Sequence, residues 1–253
     1  MISIETKNWE IKNIDTVFFD KDGTFVDLHF FWGKMTELRA KEVIKVFDLD
    51  ENLFEKLCNM LGYCPVKQKM FPDGITALYS RSKIIEIFKG NLLEFNVKTT
   101  DIELEEIFDR VSELFYQNMY AYIKPIDEAI DLIKKLKNKN IKTAIITADS
   151  KVSCEKTLNH FNWNSLFDFV IARESTKETK ESGCGAKLAL KELGADPSKT
   201  IMIGDSPTDF ECAKNAGIEK TILVSTGQVE KNVLLETSQY VVESLAEIKI
   251  NEM

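Results

Sequence analysis

Two aspartates stand two residues apart in Asp20-Lys21-Asp22-Gly23-Thr24, directly behind the apolar run Val17-Phe18-Phe19. Such a run reads as a short strand buried on both faces, and Gly23 stops it. Carboxylates on a chain leaving the carboxyl end of a strand lie where open α/β sheets place their ligands. Two further β-rich runs end in polar residues: Ile141 to Thr147 in Thr147-Ala148-Asp149-Ser150, and Thr200 to Ile203 in Gly204-Asp205-Ser206-Pro207-Thr208-Asp209. In a parallel sheet all carboxyl ends point the same way, so Asp20, Asp22, Thr147, Asp205 and Asp209 can converge although distant in sequence. Aspartates gathered without a cation repel one another, so the arrangement calls for a divalent ion. Ligands that are all oxygen suit Mg²⁺, an ion commonly shared with a substrate phosphate. A calcium loop is excluded: counted from Asp20, the sixth position is Phe25 instead of glycine and the twelfth is Phe31 instead of glutamate. Taken alone, Gly204-Asp205-Ser206-Pro207 could equally be a helix start.

The elements that must position these residues follow from periodicity. Phe31, Met35 and Leu38, then Val43, Ile44 and Phe47, predict a helix from about Phe30. Leu53 to Leu61 and Ile84 to Phe88 predict two more, and Leu104, Ile107, Phe108, Val111, Leu114 and Phe115 form the cleanest helical stripe. The stretch from about Leu28 to Ile123 therefore reads as helical throughout, with no strand signal. Beyond Lys124-Pro125 helices alternate with short β-rich runs, the mark of βαβ units, ending in a weaker strand at Tyr240 to Val242. A helical block is thus inserted into an α/β domain just after its first strand. Domains are expected over residues 1–25 with 125–253, and over residues 26–124. Residues Met1 to Asn13 are mixed and polar and receive no function.

A chain of 253 residues, 44% hydrophobic and 29% charged, can bury a sizeable core and a smaller partner domain. The net charge of -8 gives no basic footprint for nucleic acid. The five cysteines are scattered with no Cys-x-x-Cys pair, so neither a disulfide framework nor a zinc site is expected. With no basic, apolar leader and no apolar stretch of about 18 residues, a soluble cytoplasmic protein without a membrane partner is expected.

These segments resemble the four motifs of the haloacid dehalogenase superfamily. Asp20-Lys21-Asp22-Gly23-Thr24 is similar to motif one, Thr147 behind Ile145-Ile146 to motif two, and Gly204 to Asp209 to motif four. Motif three is a lysine; Lys180 stands about 25 residues ahead of Asp205 and about 13 ahead of Leu193-Gly194, as in relatives. Glu181 follows it where the family prefers proline, which keeps Lys177 as an alternative. The resemblance covers Ile14 to about Val224 but not the sequence of the helical block. It implies an α/β, Rossmann-like three-layer core with a parallel sheet and an inserted all-helical cap domain.

The chemistry implied by the resemblance is Mg²⁺-dependent hydrolysis of a small phosphorylated metabolite by a phosphoglycolate-phosphatase-like enzyme. Asp20 would be the nucleophile and a metal ligand, Asp22 the acid and base and, through its carbonyl, a metal contact, and Asp205 would complete the metal sphere. Thr147 and Lys180 would hold phosphoryl oxygens. Gly23, Thr24, Ala148, Ser206 and Asp209 would support them, Asp209 by binding the metal through water or by orienting Lys180. Caps at this position close over small substrates. Of the cap residues, Arg81 or Arg39 is expected to meet the leaving group, with Tyr79 nearby in sequence. His29, with Phe30, Phe31 and Trp32, lines the pocket or packs the hinge. A sugar phosphomutase would share every core residue, and a catalytically silent binding protein is the reading from another class. The chain is expected to act as a monomer or homodimer.

Overall fold

The structure is a computed structural model that describes residues Met1–Met253. The chain divides into two compact units: Met1–Asp27 with Pro125–Met253, and Leu28–Lys124.

The first unit opens with β1 (Ile2–Glu5), β2 (Glu10–Ile14) and β3 (Thr16–Phe19). The second contains α1 (Leu28–Val46), α2 (Phe54–Met60), β4 (Tyr63–Cys64), β5 (Lys69–Met70), α3 (Ile75–Leu78), α4 (Arg81–Leu92) and α5 (Asp101–Gln117). The first then resumes with α6 (Asp127–Asn138), β6 (Lys142–Ile146), α7 (Lys151–His160), β7 (Phe169–Ile171), α8 (Cys184–Leu193) and β8 (Thr200–Gly204). It finishes with α9 (Pro207–Asn215), β9 (Lys220–Val224), α10 (Lys231–Thr237), β10 (Val241–Val242) and β11 (Lys249–Glu252).

A six-stranded parallel sheet in the order β10-β9-β8-β3-β6-β7 organises the first unit. β3 lies inside it with partners on both edges, and all four of its residues are buried, as a strand covered on both faces requires. Successive side chains alternate between the faces. Phe18, Ala144, Ile146 and Met202 join Ala186, Ala189 and Leu190 of α8 and Cys212 and Ala213 of α9 in one apolar cluster. α6 packs on β6 and buries Ile130, Ile133 and Leu136. The unit is a three-layer α/β core. Register fixes the strand ends: Phe19 stands level with Ile145 on one side and Ile203 on the other, so the chain passes Asp20 and Gly204 at one height.

The polar N-terminal segment is structured. β1 pairs antiparallel with β2 and with β11, forming a separate three-stranded sheet whose partner strand comes from the far end of the chain.

In the second unit, α1, α2, α4 and α5 surround a core that includes Leu57, Ile85, Phe88, Leu104 and Phe108. α5 begins at a capping box: Thr100 Oγ1 accepts from Glu103 N at 3.2 Å, and Glu103 Oε2 accepts from Thr100 N at 2.9 Å. The expectation of an all-helical block needs one correction. β4 and β5 form a two-residue antiparallel ladder, Tyr63 opposite Met70 and Cys64 opposite Lys69. Two residues are too short to leave a period in the sequence. No helix of the chain is long and apolar enough to cross a membrane.

Candidate active site

The central strand delivers Asp20 one residue past its last ladder position, and the ladder continues through the backbone: Asp20 N donates to Ile203 O at 2.9 Å. The Asp20 carboxylate is buried and its Oδ1 accepts from Lys180 Nζ at 2.5 Å. The same ammonium lies 2.6 Å from Asp209 Oδ1. Lys180 therefore bridges two carboxylates, whereas Lys177 is exposed. Burial alone would push the Lys180 ammonium down, but Asp20 and Asp209 hold it well above the ordinary range.

The β8 end supplies the opposing wall. Asp209 is fully buried on the first turn of α9, and its Oδ2 accepts from Asp205 N and Ser206 N, each at 3.1 Å, and from Ser206 Oγ at 3.0 Å. A carboxylate closing exposed N–H groups at a helix start is favourable, and Pro207 adds the fixed φ of a first helical residue. Asp205 is buried beside it. A Cβ at Gly227, at Gly23 or at Gly204 would run into acidic side chains: Asp205 in the first two cases, Asp209 in the third. Gly23 also has φ +87°, a left-handed conformation that favours glycine. Thr226 Oγ1 donates to Gly23 O at 2.6 Å and fastens the loop after β9 to the turn after β3.

Carboxylate oxygens of Asp20, Asp205 and Asp209 come within 4.8 Å of one another. Burial, and then the neighbouring Asp20 and Asp209, raise the Asp205 carboxyl well above the ordinary range, and Lys180 pulls back only in part. Burial raises Asp20 likewise, against the pull of Lys180. Three buried acids around one ammonium are short of positive charge, and their all-oxygen donor set fits a hard divalent cation.

The Asp22 side chain takes a different course, because it pairs with the Nζ of Lys21, which is buried completely. Lys21 Nζ also lies 3.0 Å from Asp149 Oδ2. Burial first, opposed by Lys21 and aided by Asp149, pushes the Asp22 carboxyl up to about 6. Thr147, at the end of β6, is held by its N–H on Ile171 O at 3.0 Å, and its Oγ1 accepts from Asp149 N at 3.1 Å. Thr24 is buried with an Oγ1 that finds no partner, and Ala148 is exposed.

Lys21, Asp149, Thr226 and Gly227 are neighbours of these aspartates that sequence reasoning passed over. For the last two a signal existed: they follow Thr221 to Val224, another strand of the same parallel set. Lys21 and Asp149 gave none, since their pairing depends on how two loops meet.

The four candidates of the inserted unit part company. His29 Nδ1 accepts from Met70 N at 3.1 Å, tying α1 to the short hairpin. Tyr79 is exposed after α3. Arg81, at the start of α4, is bound by Glu105 Oε1 and Asp109 Oδ1, both at 2.7 Å. Arg39 is buried against the Phe108 ring.

A family model for haloacid dehalogenase-like hydrolases matches residues 14–217. The chain belongs to that family. Among curated relatives of this hydrolase, a phosphoglycolate phosphatase of Aquifex aeolicus is 25% identical over 218 residues, 85% of this chain and 87% of the relative. Pyrophosphatase PpaX of Halalkalibacterium halodurans is 25% identical over 236 residues, 93% of this chain and 95% of its own. A solved HAD-superfamily hydrolase of subfamily IA from Geobacter sulfurreducens superposes with a TM-score of 0.63 at 16% identity, covering 93% of this chain and 94% of that one. At that identity the likeness speaks for the fold.

Proposed function

We propose that this hydrolase is a Mg²⁺-dependent phosphatase of small phosphorylated metabolites, working through an aspartyl-phosphate. The observation that carries the reading is the buried set Asp20, Lys180, Asp205 and Asp209: a carboxylate at the end of the central strand, one ammonium on it, and an unmet demand for positive charge beside it. The names of the Aquifex aeolicus and Halalkalibacterium halodurans relatives point to the same reaction class.

Asp20 and Asp205, with the carbonyl of Asp22, are the groups that would hold Mg²⁺, while Asp209, whose two oxygens are engaged by Lys180 and by the start of α9, would orient Lys180 or meet the ion through water. When bound, the ion supplies charge for the phosphoryl oxygens and draws the anionic substrate to a site rich in acids. A carboxylate oxygen of Asp20 attacks phosphorus; the O–P bond to Asp20 forms as the ester O–P bond breaks. Asp22 gives its proton to the departing oxygen. A carboxyl with pKa about 6 is divided between its two forms near neutrality, which suits a group that must next take a proton from the attacking water. That water cleaves the acyl phosphate, returning Asp20 and releasing inorganic phosphate. Lys180 Nζ and Thr147 Oγ1 hold the non-bridging oxygens, where charge must be matched in the transition state. Lys21 and Asp149 position the Asp22 carboxyl and the Thr147 loop.

The test is phosphate release with Mg²⁺ over sugar phosphates, phosphoglycolate, pyrophosphate and nucleotides, for the wild type and Asp20→Asn in parallel. The variant is expected to lose at least about 10³-fold in kcat. Asp20→Asn turning over like the wild type would remove the nucleophile from this reading. A phosphoryl group moved within the substrate with no phosphate released would mark a mutase.

A further inference from the structure

Between the two aspartates of the turn after β3 stands a lysine whose side chain is buried completely. A bare ammonium there would be costly, and one carboxylate would neutralise it. Lys21 has two, Asp22 and Asp149. The trio carries one negative charge in excess, and a buried surplus charge is no gain in stability.

The two acids are held differently. Asp149 is fixed: its Oδ1 accepts from Ser150 N at 2.7 Å, its carbonyl accepts from Arg173 N at 2.9 Å, and its own N–H donates to Thr147 Oγ1 at 3.1 Å. Its Oδ2 is sealed from solvent and meets the Lys21 ammonium at 3.0 Å without an aligned hydrogen bond. Asp22 instead takes the hydrogen bond of Lys21 Nζ, and no backbone N–H holds its carboxylate. Its side chain is 12% exposed, against 6% for Asp149 and 1% for Lys21, so it is the member of the trio with an open side. The backbone beneath is pinned, since Lys21 O accepts from Thr24 N, Phe25 N and Val26 N at 3.2, 3.0 and 3.1 Å. What is left to move is the Asp22 side chain, by rotation between its own staggered positions. An acid that serves a departing oxygen must come off the lysine, and parting a buried ion pair strands the ammonium. Asp149 removes that obstacle, because its unaligned Oδ2 receives the N–H as Asp22 lets go.

We propose that Asp149 is a positioning residue acting through Lys21: it is the stand-by counter-ion that keeps the buried ammonium paired while the Asp22 carboxyl turns to the substrate and back. The exchange shifts one hydrogen bond of Lys21 Nζ from Asp22 to Asp149 and breaks no covalent bond. The assignment rests on the phosphatase reading above and adds the device that frees its proton carrier.

The experiment compares the wild type, Asp149→Asn and the double variant Lys21→Met/Asp149→Asn, with Mg²⁺, on two esters: p-nitrophenyl phosphate and the alkyl phosphate best hydrolysed in the screen above. Asparagine keeps the Oδ1 acceptor for Ser150 N and loses the charge. An alkyl leaving oxygen needs the proton of Asp22, whereas p-nitrophenolate departs as the anion. Asp149→Asn is therefore expected to lower kcat/KM about 30-fold or more on the alkyl ester and to stay within about threefold of the wild type on the aryl ester. Adding Lys21→Met removes the ammonium that detains Asp22 and should recover about tenfold of the alkyl loss. Equal losses on both esters, no loss on either, or no recovery in the double variant would overturn the assignment. A second readout needs no turnover. In EDTA, Asp22→Asn and Asp149→Asn should each melt within about 4 °C of the wild type, because either acid alone still pairs Lys21. The Asp22→Asn/Asp149→Asn variant should fall roughly 8 °C or more beyond the sum of the two, and Lys21→Met added to it should regain most of that drop. A pair that does not fold, beside a triple variant that does, is the same result. Additive losses, or a triple variant without recovery, sink Asp149 as the stand-by partner. If the wild type releases phosphate from no ester while the excess loss and its rescue are seen, the counter-ion exchange stands and only the phosphatase reading fails.

Discussion

Replacing Lys180 by Met tests whether the buried acids are held together by one ammonium. The Nζ lies 2.5 Å from Asp20 Oδ1 and 2.6 Å from Asp209 Oδ1, and all three side chains are at most 10% exposed. At an effective dielectric constant of about 20, each contact contributes roughly 6 kcal/mol of attraction, about 12 kcal/mol for the two. Desolvating the three ions takes back several kcal/mol each, so the net worth of the cluster is far smaller. Truncating one partner is different, because it leaves the others buried and unpaired at a cost of about 3–5 kcal/mol. Met keeps the volume of the stem, so a cavity adds little. With a urea m-value of about 2 kcal/mol/M, the unfolding midpoint in EDTA at pH 7.5 should fall by roughly 1.5–2.5 M. Mg²⁺ at saturating concentration should recover part of the loss, since a ligand that binds only the folded state stabilises it by mass action. Circular dichroism and tryptophan fluorescence would follow the transition together. A Lys180→Met midpoint within about 0.3 M of the wild type in EDTA would refute the claim that these charges depend on one another.

Gly227→Ala places a methyl on the Asp205 carboxylate, whereas Gly90→Ala in α4 meets nothing within 4 Å. The first should raise the Mg²⁺ concentration for half-maximal phosphate release by about tenfold or more, as displaced metal-site groups do, and the second should leave it unchanged; equal Mg²⁺ requirements would count against Asp205 as a ligand. Asp168 accepts from both sides of a strand start: Lys137 Nζ at 2.7 and 2.8 Å, and Thr143 N at 2.8 Å. Partial burial works upward on its carboxyl, but those hydrogen bonds win and hold it below the ordinary 3.8. A lowered carboxylate stabilises the fold above its unfolded pKa and loses that contribution as pH falls through the folded value. Asp168→Asn should therefore cost about 1 kcal/mol at pH 7, after allowance for solvent screening, and much less near pH 3. Urea midpoints that differ equally at both pH values would contradict it.

The parallel core was legible because its strands are short apolar runs with polar ends, and β3, β6 and β8 stop where Asp20, Thr147 and Asp205 begin. Spacing alone favoured Lys180 over Lys177, and the structure brings Lys180 against Asp20. The pairing of Lys21 with Asp149 left no trace, since it joins the turn after β3 to the loop after β6 and neither carries a period. β1 and β2 were hidden for a related reason: their sheet is completed by β11, more than two hundred residues away in sequence. Nor could sequence foresee the different surroundings of Arg39 and Arg81. Both are arginines on helices, and the difference lies in which of them Glu105 and Asp109 of α5 can reach.

The turn after β3 also governs how the chain tolerates its insertion. Val26 bridges both Asp22 and Pro125, and Ile126 N donates to Phe25 O at 3.0 Å, so the chain leaves the first unit and re-enters it at adjoining points of one small backbone clasp. A loop whose ends are already fastened exacts an entropy cost that grows only slowly with its length. The clasp makes the position a standing socket: evolution or an engineer can lengthen, shorten or exchange what lies between Asp27 and Pro125 without rewriting the strand that presents Asp20. Circular permutation with new termini inside the inserted stretch should for the same reason leave the parallel sheet its native order.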